Sequence, residues 1–167
     1  MKSDLGRSIR DRLSSRVIGM NIRAMTKGDY DYVVSVLDRW WGGPSTGRIE
    51  PILFYELGHH ALVAEAEEEG CERIGFLLGF VAPTDPAVGY IHLVGIHPDH
   101  RRRGVGNQLY QSFTDRCTKA GVARLKAITT VGDDASDRFH RALGFTGQKD
   151  PDYAGPGRAR LVFTKDL

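Results

Sequence analysis

The chain has 167 residues and a mass of 18.5 kDa, with 41% hydrophobic and 26% charged residues and a formal net charge of +2 from 23 Lys+Arg against 21 Asp+Glu. These values exclude wholesale disorder and a nucleic-acid binder driven by bulk charge; one domain burying roughly 70% of its unfolded surface is expected. Cys71 and Cys117 are far apart and have no CxxC partner, which excludes a disulfide framework or a cysteine-based zinc cluster, and no apolar run reaches the ~18–20 residues of a membrane span.

Residues 1–19 read as a polar leader. Charges such as Asp4, Arg7 and Arg10 leave no apolar h-region, so a secretory signal is not expected. A reducing, cytoplasmic location is. Residues 20–167 read as a single domain. A short alternating strand covers 20–25. Thr26 then stands as a helix N-cap with Asp29 three residues on, and Tyr30, Val33, Val34, Leu37, Trp40 and Trp41 continue at helical spacing. Gly42-Gly43-Pro44-Ser45 breaks that helix. Pro51 and Gly58 bracket a short second helix over 52–57. Strands over 60–66 and 73–82 form a hairpin across the acidic turn Glu67-Glu68-Glu69-Gly70. A third strand follows over 89–97.

Val105, Leu109, Phe113 and Cys117 recur every four residues and predict an amphipathic helix over 104–119. A strand over 123–130 and a helix over 136–143, closed by Gly144, come next. Two final strands include Phe145 and residues 161–164, joined by a loop over 150–157. Hairpins interspersed with βα crossovers predict an α/β fold with a mixed sheet of about seven strands and helices on both faces, not a purely parallel one.

The segment His97-Pro98-Asp99-His100-Arg101-Arg102-Arg103-Gly104-Val105-Gly106 lies between a strand and the amphipathic helix. Gly104 and Gly106 allow close backbone approach. Free N–H groups at the helix start and the helix dipole attract an anion there, and Arg101, Arg102 and Arg103 add positive potential. The segment is a phosphate-binding loop on physical grounds. It is not a Walker loop, because the helix opens Gly-Val-Gly-Asn rather than Gly-Lys-Ser/Thr. It is not a dinucleotide loop, because Leu109 stands where GxGxxG has its third glycine. What remains is RxxGxG, carried by Arg101, Gly104 and Gly106.

That pattern, after the strand end Val94-Gly95-Ile96-His97-Pro98, resembles the pyrophosphate loop of the GNAT acyltransferase superfamily. Phe139-His140-Arg141-Ala142-Leu143-Gly144-Phe145 is similar to that family's late Phe-Tyr-x-x-x-Gly-Phe motif, and the resemblance covers about residues 20–167. It implies a sheet splayed beside the strand before the loop, with acetyl-CoA as co-substrate. The backbone of Val94, Gly95 and Ile96 would hold the pantetheine. Arg102, Arg103, Gly104, Val105, Gly106 and Asn107 would hold the pyrophosphate, with Arg101 completing the motif and Asp133, Ser136 and His140 on the cofactor side.

The reaction implied is N-acetylation of a primary amine by direct attack on the thioester in a ternary complex. It requires a base for the ammonium proton and an acid for the thiolate. His140 stands where the family has its acid Tyr, and a charged imidazole can donate a proton; packing or binding acetyl-CoA is its other reading. Asp133 replaces an asparagine often found seven residues before that Tyr. His92 is the base candidate, placed like a histidine of the arylalkylamine acetyltransferases; strand alternation puts it on one face with Tyr90 and Val94. A half-buried strand histidine without a catalytic role is its other reading. Glu56 and His60 are weaker base candidates.

The acceptor cleft would be walled by residues 40–48 and 150–157, with Trp40, Trp41 and Tyr153 as substrate contacts, Trp40 and Trp41 by cation–π stacking, and Asp152 beside Tyr153 to read an ammonium group. A small amine or amino acid is expected over a protein amine. The competing readings are a protein-amine acetyltransferase, a non-catalytic acyl-CoA sensor and an RNA-binding domain. No metal is expected, since His59-His60 and His97-x-x-His100 lack acidic or thiol partners at ligand spacing. Neither a membrane nor a nucleic-acid partner is expected, and exposed late strands are compatible with a homodimer.

Overall fold

The computed structural model describes residues 19–67 and 72–167. Strands β1 Met20–Ala24, β2 Leu62–Ala66, β3 Arg73–Val81, β4 Val88–Ile96, β5 Arg124–Thr130, β6 Thr146–Asp150 and β7 Arg160–Asp166 alternate with helices α1 Lys27–Trp41, α2 Ile52–Tyr55, α3 Val105–Lys119 and α4 Asp134–Ala142. One 7-stranded sheet forms in the order β1-β2-β3-β4-β5-β7-β6. Its neighbours are antiparallel except β4 and β5, which run parallel. This is the mixed sheet that the hairpins and crossovers predict. Apart from Gly19, the polar leader lies outside the described residues, as do turn residues 68–70 and Cys71.

The helix starts follow the local chemistry. Thr26 Oγ1 accepts the Asp29 N–H at 3.3 Å while Asp29 Oδ2 accepts the Thr26 N–H at 2.8 Å, a reciprocal capping box that begins α1. The strand expected over 60–66 starts later, because residues 58–60 close a 3-10 turn through the Ala61 N–H to Gly58 O bond, 2.9 Å. Phe145 sits just before β6, with its ring in the core.

Both faces of β3 are buried, which explains its nearly unbroken apolar run. Ile74 and Leu77 join Leu62, Leu109, Phe113, Leu125 and Phe163 beneath α3. Phe76 and Leu78 join Val33, Leu37 and Trp40 beneath α1.

Two irregularities in β4 create the site. First, Leu78 pairs with Leu93 but Gly79 pairs with Ile91, so His92 is the extra residue of a β-bulge. The side-chain alternation inverts there. Ile91 packs into the α3 core, Leu93 against the α1 core, and Val94 into the α3 core again. Strict alternation, which would place Tyr90, His92 and Val94 on one face, is therefore corrected: Val94 lies on the other side. Second, among the described residues the β4–β5 ladder runs only from Val88↔Arg124 to Ile91↔Ala127. Both strands continue past that point, to Ile96 and Thr130. They part at the bulge and leave an open gap.

A buried carboxylate pins α1 to the sheet. Asp29 is 0% exposed and accepts from Arg23 Nη2 at 3.1 Å and Arg73 Nε at 2.6 Å. Arg23 also pairs with Glu65 across β1 and β2. Burial alone would raise the Asp29 carboxyl, but hydrogen bonds from Arg23, Thr26 and Arg73 hold it well below the usual carboxylate range. A depressed folded-state pKa contributes stability that is present above the unfolded value of about 3.9 and lost as pH falls through the folded one. Asp29→Asn is expected to cost about 3 kcal/mol at neutral pH and to flatten the decline in stability below about pH 5. Urea unfolding across pH 2–7 for both proteins tests this; parallel curves for the two would defeat it.

Candidate active site

The loop after β4 leads into the N-terminus of α3. Gly104 caps that helix at φ +82°, a left-handed conformation that L side chains rarely adopt, and a Cβ there would meet nothing within 4 Å. Arg102 is also left-handed, at φ +59°. The first backbone bond of α3 runs from the Gln108 N–H to Gly104 O, 3.1 Å. The N–H groups of Val105, Gly106 and Asn107 are thus the orphan donors of a helix start. Pro98, Asp99, Arg101, Arg102 and Arg103 line an open groove beside them. Cations, orphan donors and a glycine without neighbours suit a pyrophosphate.

The predicted loop residues divide by orientation. Arg101 turns back into the protein: its Nε donates to Ile96 O at 3.4 Å and its Nη2 to Trp40 O, tying the loop to the last turn of α1. Arg102 and Arg103 are exposed, and Arg101 is exposed over much of its side chain as well. Val105 is 1% exposed in the core, so only its backbone can meet a ligand. A Cβ at Gly106 would come within 3.2 Å of the Phe139 ring, a tight contact that the ring would have to yield to. Gly95 lies beneath Phe76, while Val94 and Ile96 pack partly into the α3 core. Their backbone borders the gap.

His92, at the bulge, is half-buried. Burial pushes its pKa below the ordinary value, partly offset by the nearby backbone carbonyl of Arg48, which favours the charged ring. The Tyr90 ring lies 6.0 Å away, centroid to centroid. Burial pushes the Tyr90 hydroxyl up to about 12, so it is a neutral phenol.

Lys126 pairs with Tyr90 in the β4–β5 ladder and lies 4.9 Å from the ring centroid of Tyr153, which is 36% exposed. The Arg48 guanidinium sits 6.0 Å from the Trp41 ring centroid. Tyr90 thus neighbours both His92 and Lys126, and Lys126 lies against Tyr153. Trp40 is not part of this group. It is 2% exposed, against Phe76 and His97, so its expected role as a substrate contact is corrected to core packing. Glu56 is exposed at the end of α2, in a shallow groove with His59, His60 and Phe80. Burial lowers the His60 pKa. Asp152 Oδ1 accepts the Gly157 N–H at 2.7 Å within the β6–β7 loop.

His140 lies in the core. It is 6% exposed and stacked on Phe163 at 4.3 Å. Its Nδ1 donates to Ser136 O at 2.8 Å, so Nε2 accepts from the Tyr110 hydroxyl at 2.9 Å. Burial lowers its pKa. Both nitrogens are engaged inside the protein, a geometry that suits positioning rather than proton delivery. Asp133 caps α4 through Ser136 N at 3.0 Å and accepts from Thr129 Oγ1 at 3.1 Å. Tyr110→Phe would leave His140 Nε2 buried without a partner, and is expected to cost about 1–2 kcal/mol of unfolding stability with acetyl-CoA affinity changed less than threefold. Denaturant midpoints and titration calorimetry test both parts; a neutral effect on stability would remove this role for the pair.

Sequence reasoning placed residue 48 only in the wall of the cleft and missed Lys126 and Tyr110. Tyr110 sits on the core stripe of α3, where it reads as an apolar residue. Lys126 matters through its register with Tyr90. Among the described residues, no group of three or more His, Cys, Asp or Glu is arranged to hold a metal ion, and no helix is long and apolar enough to cross a membrane.

The family model of the Acetyltransferase (GNAT) family matches residues 30–145. An L-2,4-diaminobutyric acid acetyltransferase of Nocardia farcinica is 35% identical over 78 residues, which are 47% of this chain and 40% of that protein. The match thus spans less than half of that relative's length. The fold is similar to that of Ard1 from Thermoplasma volcanium, with a TM-score of 0.73 and 18% identity over 90% of this chain and 99% of the other. It is also similar to YncA from Salmonella typhimurium, solved with its cofactor acetyl-CoA: TM-score 0.64 and 20% identity over 89% of this chain and 94% of the other.

Proposed function

The chain belongs to the acetyltransferase (GNAT) family, and we propose that residues 20–167 form one domain that transfers the acetyl group of acetyl-CoA to a small primary amine. The observation that carries this reading is the parting of β4 and β5 at the His92 bulge, on the strand that leads into the glycine-containing loop before α3. In this reading the loop takes the phosphates, and the half-buried His92 lies where the strands part.

In this reading the N–H groups of Val105, Gly106 and Asn107 bind the pyrophosphate, with Arg102 and Arg103 supplying charge. The backbone of Val94, Gly95 and Ile96, free of β5, binds the pantetheine amides. Bound acetyl-CoA supplies an activated acyl carbon for attack by a neutral amine. His92 accepts the proton that the ammonium must lose. His140 acts as a positioning residue: with Tyr110 it packs around Phe139, which touches Gly106. The Nocardia relative's name supports a small amine over a protein amine as acceptor.

The experiment is release of free thiol from acetyl-CoA by the purified protein across a panel of amines. Amine-dependent thiol release is the expected result. Tight acetyl-CoA binding without thiol release in any amine would favour a sensing module instead.

A further inference from the structure

The structure assigns Lys126 as the side chain that binds a carboxylate on the acceptor, so that the substrate is an amino acid and not a simple amine; this rests on the acetyltransferase reading above. Lys126 lies on β5 between Leu125 and Ala127, which both face the α3 core. It therefore points to the opposite face of the sheet, the face of Tyr90, its partner in the ladder. His92 is two residues farther along β4, past the end of that ladder.

Most cations around the sheet have structural partners. Arg23 and Arg73 hold Asp29, Arg124 holds Asp166, Arg141 holds Asp137, and Lys165 caps Leu143 O. Lys126 differs. It is half-buried, its contact is the face of Tyr153, and among the described residues no carboxylate lies within ion-pair distance of it. The nearby acids are used within the β6–β7 loop. Asp150 Oδ1 accepts the Asp152 N–H at 3.1 Å, and Asp152 Oδ1 accepts the Gly157 N–H at 2.7 Å. Those bonds fold the loop that carries Tyr153 over Lys126.

Charge complementarity supplies the class of ligand. A half-buried ammonium, flanked by the Tyr153 ring and close in register to a protonated phenol, is matched by a carboxylate, which accepts from both Lys126 Nζ and a tyrosine hydroxyl. A cation paired in register with Tyr90, the ring neighbour of His92, disfavours the second ammonium of a plain diamine and favours a carboxylate beside the reacting amine. The amine end then faces His92 and the carboxylate end faces Lys126.

The test uses matched pairs that differ by the carboxylate: L-2,4-diaminobutyrate against 1,3-diaminopropane, L-ornithine against putrescine, and L-phenylalanine against phenethylamine. For the wild-type protein, kcat/KM is expected to favour the carboxylated member of the accepted pair at least tenfold. Lys126→Met is expected to collapse that preference at least tenfold through KM and not kcat, and Lys126→Arg to restore most of it. Acetyl-CoA affinity, read by calorimetry, controls for the fold of each variant. Equal use of both members overturns the inference, as does a preference that survives in Lys126→Met, or acetylation of the diamines without the amino acids; in those cases the acetyltransferase reading stands. Acetyl-CoA binding with no acetylation of any amine overturns both.

Discussion

Gly104→Glu is expected to weaken acetyl-CoA binding more than a hundredfold while the protein stays folded. Two physical effects act together at this position. The residue sits at φ +82°, a conformation that costs an L side chain roughly 1–2 kcal/mol. Because a Cβ there meets nothing within 4 Å, that strain is local and the core is untouched. The new carboxylate would lie at the positive end of α3, where the orphan N–H groups and Arg102 and Arg103 would otherwise receive phosphate oxygens. Gly104→Asn separates the two effects, since asparagine tolerates the left-handed region and adds no charge. It is expected to keep acetyl-CoA affinity within tenfold of wild type. Titration calorimetry with thermal unfolding reads both variants. A Gly104→Glu protein that binds acetyl-CoA like the wild type would move the cofactor away from this loop.

His92→Gln is expected to lower kcat/KM by on the order of a hundredfold or more, with acetyl-CoA affinity within about twofold of wild type. Glutamine is polar and of similar length but cannot take a proton. The pH profile carries the sharper signature. Burial depresses the His92 pKa, and a base acts only when neutral, so wild-type activity should fall as pH drops along an acid limb below about 6.5. In His92→Gln that limb should vanish. An acid limb of unchanged position in the variant would assign the base to another group, with His60 the next to test.

The conformation of the loop before α3 was legible because its determinants are residue types in local order. A left-handed helix cap calls for glycine, and RxxGxG places one at Gly104 with cations before it. Likewise Thr26 and Asp29 announce the start of α1, and the four-residue recurrence from Val105 to Cys117 announces α3. The active-site face was less legible. Alternation along β4 gave the wrong partner for His92, because the bulge depends on how β3 pairs with β4. Trp40 and Trp41 are adjacent and chemically equal, yet one is core and the other borders Arg48. That choice depends on which side of α1 meets Phe76. Arg101 matches the loop motif, but its guanidinium folds back onto Trp40 O, a contact 61 residues away in sequence.

His140 marks the same boundary from the other side. Its place in the late helix motif is readable, and its departure from tyrosine is visible. Its role depends on Tyr110, which lies 30 residues earlier. The sequence by itself therefore determined the elements, the left-handed glycine cap of α3 and the family, since caps, glycine conformations and helical stripes are set by neighbours within a few residues. Only the tertiary structure decided which side chains face the gap. Strand register, the bulge and the parting of β4 from β5 arise from pairing between distant segments, and a shift of one residue in that pairing turns every side chain beyond it to the opposite face.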